Sequence, residues 1–322
     1  MESRKILAKT GKFILCFLPF LVYLLIQNVV GLIIYGVELA KLLRSSGLSP
    51  TRDVVEVLLG ALQADVNLTL IIMLISEITG IVAFGLFLYF VMKEKYPARP
   101  KEIFSAGNFL AVIFLFAGFE LVVSGVLNLL QFIAPGLMAD YAKRIESMGI
   151  TQFSFLSTLV AVILAPIAEE FVFRGLTFKL TRKFSRNFWT ANFFQACIFG
   201  LAHMIDQILL LLMGEATTIN PIQAVYAFIM GLILGYVYKK FNSLWATILA
   251  HLSFNLAGTW LVSLIYGTSD TVSILKILVV TAISSAVIFF CLNALKNDKK
   301  TRINEAGFNT KYRLENPEEI LF

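Results

Sequence analysis

Charge is scarce in this chain. Asp, Glu, Lys and Arg make up 15% of its 322 residues, and there are two histidines in all. Apolar residues reach 58%, with a mean hydropathy of +0.81. A soluble domain of this length has too little interior to hide so much apolar surface, so the expected solvent is lipid. Cysteine is nearly absent too. Cys16, Cys197 and Cys291 each lie inside an apolar run with no paired or metal-ligand spacing, which leaves them as small hydrophobes. The in/out alternation of barrel strands is missing, which excludes a transmembrane β-barrel. No internal repeat is visible, which argues against a transporter built from duplicated halves. The first apolar run, about Phe13 to Ala40, lacks a small-residue cleavage site and is too long for a signal-peptide core, so it should persist as the first helix.

What is present is a series of long apolar runs. A bilayer core of about 30 Å needs about 20 residues of helix. Such runs occur at about 13–39, 66–92, 106–132, 152–173, 188–213, 221–239, 243–266 and 272–295. The expected fold is an all-α polytopic membrane protein with about eight transmembrane helices. Residues 51–65 read as a short amphipathic helix at the interface. The expected organisation is N-terminal helices and loops over 1–150, a core over 151–258 and a last helical region over 259–295. A mobile polar tail over 296–322 completes it.

Of the 27 Lys and Arg, 21 lie at the N-terminus, in the loops after spans two, four and six, and in the C-terminal tail. That bias places both termini in the cytoplasm. The net charge of +6 then reflects topology and anionic lipid headgroups and calls for no nucleic-acid partner. The expected location is the plasma membrane of a prokaryote.

Ionisable residues inside the spans cost about 2.5–3.5 kcal/mol each at mid-bilayer, so each needs a reason. Span four closes on Glu169, Glu170 and Arg174; span five holds His203 and Asp206; span seven holds His251 and, a turn later, Asn255. Glu170 and Arg174 are four apart and can pair. Glu169 is turned by about 100° from Glu170 and is the carboxylate left to take a proton from water. With span four ending near Arg174, Glu169 would lie about 8 Å inside the cytoplasmic surface, His251 about 12 Å and His203 about 20 Å. Asp206 is close enough in sequence to orient His203. Glu77 and Glu120 read as hydrogen-bonded helix contacts, and Gly231 and Gly235 in "GLILG" as close helix packing. Pro166 should open or kink span four just before the glutamates.

Three stretches, "EEFVFR" (Glu169, Glu170, Arg174), "FGLAH" (Phe199, His203) and "HLSFN" (His251, Asn255), fall in that order on three separate spans. Together they resemble the motifs of the CAAX-protease and bacteriocin-processing (Abi) family of intramembrane endopeptidases, over about residues 152–258. The resemblance implies an eight-helix endopeptidase with a polar intramembrane cavity open to the cytoplasm. Glu169 would activate water and His203 would help position it. His251 and Asn255 would bind water or stabilise the oxyanion, with Glu170, Arg174 and Phe199 in support. Two cofactor readings stay open. Glutamate-activated water needs no metal, whereas His203, His251 and Glu169 form a His₂Glu set of the kind that binds catalytic zinc or another divalent ion. The first is favoured by the absence of "HExxH" and by Asn255, a poor zinc ligand. The implied partners are lipidated or membrane-associated proteins or peptides. The competing reading is a non-proteolytic member acting in bacteriocin self-immunity or as a membrane scaffold.

Overall fold

The computed structural model describes residues 2–93, 100–147, 154–214, 218–266 and 273–311. The described residues are helical or in short connections. In chain order the helices are α1 (Glu2–Ser46), α2 (Arg52–Gln63), α3 (Val66–Val91), α4 (Ala106–Ile133), α5 (Pro135–Ser147) and α6 (Phe155–Lys183). There follow α7 (Phe188–Ala202), α8 (Ile205–Met213), α9 (Ile222–Phe241), α10 (Leu244–Tyr266), α11 (Ile274–Asn297) and α12 (Lys299–Lys311). Seven of these are long and apolar enough to cross a membrane, and α7 with α8, bent by 55° at His203 and Met204, makes an eighth if the pair is one span. The chain is a multi-pass membrane protein. Its outer faces carry large apolar side chains open to the surroundings, such as Leu32 at 75% exposure and Leu264 at 81%. In water such faces would drive aggregation; in lipid they are the solvated surface.

Local sequence sets the helix starts. The Thr51, Asp65, Ser105, Asn187 and Ser243 side chains each accept from an N–H in the first turn of the helix that follows. At Ser105 the cap is reciprocal, because Asn108 Oδ1 accepts from the Ser105 N–H at 2.8 Å. The helix expected over 51–65 forms as α2 and has no buried residue, which suits a surface position. "GLILG" sits where α9 crosses α7. A Cβ on Gly231 would come within 3.0 Å of the Ala196 Cβ, and one on Gly235 within 1.8 Å of Asn192 Oδ1. Only hydrogen fits there.

Two expectations fail. Span four does not end near Arg174, since α6 runs on to Lys183 and Arg174 is fully buried. The basic residues beyond Arg174 mimic an interface, yet Lys179 and Thr181 are buried as well. Glu169 therefore lies about 20 Å from that end of its helix at 1.5 Å per residue, where a helix ending near Arg174 would give about 8 Å. The second concerns the tail, where the described part, α12, is docked rather than mobile. Phe308 is 1% exposed and packs on Phe178, Phe188 and Tyr238, while Glu305 pairs with Lys239 and Lys240. A polar average hid one apolar anchor. The expected boundary at 150/151 and the tail beyond residue 311 lie outside the described residues.

Candidate active site

The three motifs meet in the bundle. Glu170 Oε1 lies 2.6 Å from Arg174 Nη1 and 2.9 Å from His251 Nδ1, joining α6 to α10. The other His251 nitrogen, Nε2, faces Glu169 Oε2 at 3.7 Å. His251 thus stands between the two glutamates, a relation that spacing alone did not reveal. A carboxylate oxygen only accepts, so His251 Nδ1 carries the proton and Nε2 of the neutral ring offers a lone pair toward Glu169. The same holds for His203, whose Nδ1 is 2.8 Å from the Phe199 carbonyl. Phe199 is the hub that explains its place in the motif. Its ring meets His203, His251 and Phe173 edge-on and lies under the Arg174 guanidinium at 4.6 Å.

Arg174 and Glu170 neutralise one another, and the Gly231 carbonyl accepts from both Arg174 Nη2 and Gln195 Nε2. Glu169 is different. Its Oε2 is buried and accepts no hydrogen bond within the protein. Of the adjacent glutamates, Glu170 pairs with Arg174 and Glu169 Oε2 is left without a hydrogen bond.

Asn255 has a specific local cause. The backbone of α6 widens to i→i+5 bonding over Leu159–Leu164, so the Ala165 N–H bonds Val160 O instead of Ala161 O. The next residue, Pro166, has no N–H to offer. The Ala161 carbonyl is left without a backbone donor, and Asn255 Nδ2 supplies one at 2.8 Å. Pro166 does open the helix, as expected, and Asn255 closes the gap. A second widened stretch, Phe171–Thr177, follows the glutamates directly. Such turns interrupt helices mainly at functional sites.

A pocket of about 270 Å³ reaches Glu169 and His203. Its wall includes Tyr23 and Gln27 of α1, which also hold Glu77: Tyr23 Oη donates to Glu77 Oε2 at 2.6 Å and Gln27 Nε2 to Oε1 at 3.3 Å. Glu77 is therefore a hydrogen-bonded helix contact, whereas Glu120 accepts from Ser124 within its own helix. Tyr23 and Gln27 were missed, although a Tyr and a Gln four apart in an apolar helix mark one polar stripe. Asp206 does not reach the His203 ring; it pairs with Arg144 of α5. Among the pocket's lining residues Phe20 and Phe173, nearer the basic ends of α1 and α6, are buried, Gln27 and Gln223 are half-buried and Asp206 is exposed.

Among the described residues no three His, Cys, Asp or Glu side chains gather closely enough to hold a metal ion. The His203, His251 and Glu169 set is thus not drawn into a ligand shell.

Comparison with known proteins agrees with the motifs. Residues 151–257 match the family model described as Type II CAAX prenyl endopeptidase Rce1-like. A Bacillus subtilis (strain 168) protein named "Putative membrane peptidase YdiL" is 26% identical over 183 residues, which is 56% of this chain and 67% of that protein. Over residues 151–257 the chain is similar to the Rce1-like CAAX endopeptidases. No solved structure matches it. The family segment contains Glu169, Glu170, Arg174, Phe199, His203, His251 and Asn255, whereas Tyr23, Glu77 and Arg144 come from helices outside it.

Proposed function

We propose that this Rce1-like protein is an intramembrane endopeptidase that hydrolyses peptide bonds of lipidated or membrane-associated proteins or peptides in the plasma membrane of a prokaryote. The observation that carries this reading is the buried, unpartnered Glu169 Oε2 on the wall of a pocket, with His251 Nε2 3.7 Å away. A water in that pocket can donate one hydrogen to Glu169 and the other to the lone pair of His203 or His251. Glu169 takes the first proton as the water oxygen attacks the carbonyl carbon, and can return it to the leaving nitrogen. Glu170 and Arg174 hold His251 in its tautomer. Asn255 holds α6 and α10 together through one N–H on the Ala161 carbonyl, and the second N–H of the same amide is left to donate to an oxyanion.

The basic end of the bundle, with both termini, belongs in the cytoplasm by charge. The more exposed lining residues, Gln27, Gln223 and Asp206, lie farther from that end than Phe20 and Phe173, which supports a membrane-held segment entering between helices. The units 1–150, 151–258, 259–295 and 296–322 then act as frame, catalytic core, closing helix and a tail that is docked through α12. The test compares membrane proteomes of cells carrying wild type or Glu169→Gln. Uncleaved precursors should accumulate only with the variant; identical proteomes would remove the reading.

A further inference from the structure

Arg144 belongs to α5, outside the family segment, and sequence alone placed it among loop charges. In the fold its side chain is only 14% exposed and lies on the wall of the Glu169 pocket. Its Nη2 donates to the His203 carbonyl at 3.0 Å. Its two terminal nitrogens reach the two Asp206 oxygens at 2.5 and 3.1 Å, and Gln223 Oε1 of α9 accepts from Nε at 3.4 Å. His203 closes α7, the chain bends by 55° through Met204, and Asp206 lies in the first turn of α8. One guanidinium therefore touches both sides of the break.

We propose that Arg144 is a positioning residue for His203, stapling the helix break so that the imidazole is held against Phe199 and toward Glu169. This rests on the endopeptidase reading given above. The break removes carbonyls at the end of α7 from the helical ladder, and a cation there satisfies an orphan acceptor and complements the helix dipole. A planar fork can serve a carbonyl and a carboxylate together, whereas a lysine ammonium lacks that fixed geometry. Since His203 Nδ1 is held by Phe199 of its own helix, the ring direction follows the backbone at the break, which is what Arg144 fixes. Asp206 then acts through Arg144, not through the imidazole.

The test uses the full-length protein in liposomes with a quenched prenylated peptide as probe, together with hydrogen exchange of amides 203–208. Arg144→Gln should lower kcat by about tenfold or more with KM within about twofold, the pattern of a displaced catalytic group. Exchange at 203–208 should quicken by a similar factor, and Arg144→Lys should fall between. Should Arg144→Gln fail to fold, Asp206→Asn carries the test and should give a smaller loss of kcat with faster exchange. Unchanged kcat and exchange in these variants, alongside an inactive Glu169→Gln, would overturn the staple and leave the endopeptidase reading standing. A rise in KM alone would overturn it in favour of substrate contact. If Glu169→Gln stays active, Glu169 is not the base; if the wild type does not cleave, the endopeptidase reading fails; in either case the exchange rates alone decide whether Arg144 holds the break.

Discussion

His251 Nδ1 and Arg174 Nη1 share one oxygen, Glu170 Oε1, at 2.9 and 2.6 Å. All three side chains are at most 4% exposed, so removing one charge strands another in low dielectric. Glu170→Gln should destabilise the protein by about 3–5 kcal/mol, read as lost thermal stability in detergent. Replacing both partners, as in Glu170→Leu with Arg174→Met, should cost less than the single change, because no charge is left unpaired. A double variant worse than the single one would show that the pair's role is not mutual neutralisation.

Asn255 answers a carbonyl that Pro166 leaves without a donor. Asn255→Leu should therefore cost about 1–3 kcal/mol, the usual penalty for an orphaned buried acceptor. Pro166→Ala restores an N–H next to Ala161, and in that background the loss of Asn255 should matter less. A double-mutant cycle in detergent checks this; strictly additive costs would separate the two residues.

How much of this was legible in the sequence depends on the range of each signal. Span positions follow from apolar runs: six of the eight expected spans start and end within a few residues of the helices, while α1 is longer at both ends and α6 runs on to Lys183. The motif residues were legible because charge and histidine are so rare here that each occurrence is informative. What stayed hidden needs three dimensions. Nothing in spacing says that His251 sits between Glu169 and Glu170, or that Arg144 folds back onto His203. The end of α6 was misread because Lys179 and Arg182 look like an interface, though Lys179 is buried under neighbouring helices. The docking of α12 hung on a single Phe308.

Asp298, outside the spans, caps α12. Burial by itself would raise its carboxyl, but hydrogen bonds from the Thr301 backbone and side chain, Ser105 and Asn108 outweigh that and hold it below the ordinary 3.8. A lowered folded value means that its contribution is complete above 3.8 and is lost as pH falls through the lower folded value. A spin label at Arg302 should therefore be immobile at neutral pH and gain mobility only well into acid. With Asp298→Asn the label should already be mobile at pH about 7, where the native carboxylate is ionised. A label equally immobile in both proteins would assign the docking to Phe308 and Glu305 alone.

The central claim is that Glu169 is the base of an intramembrane peptidase. Its most direct measurement is cleavage of a quenched prenylated peptide by the purified protein in liposomes, comparing wild type, Glu169→Gln and Glu169→Asp at matched stability. The wild type should cleave, Glu169→Gln should lose about two or more orders of magnitude in kcat, and Glu169→Asp should retain part of it. Undiminished cleavage by a folded Glu169→Gln protein would contradict the account.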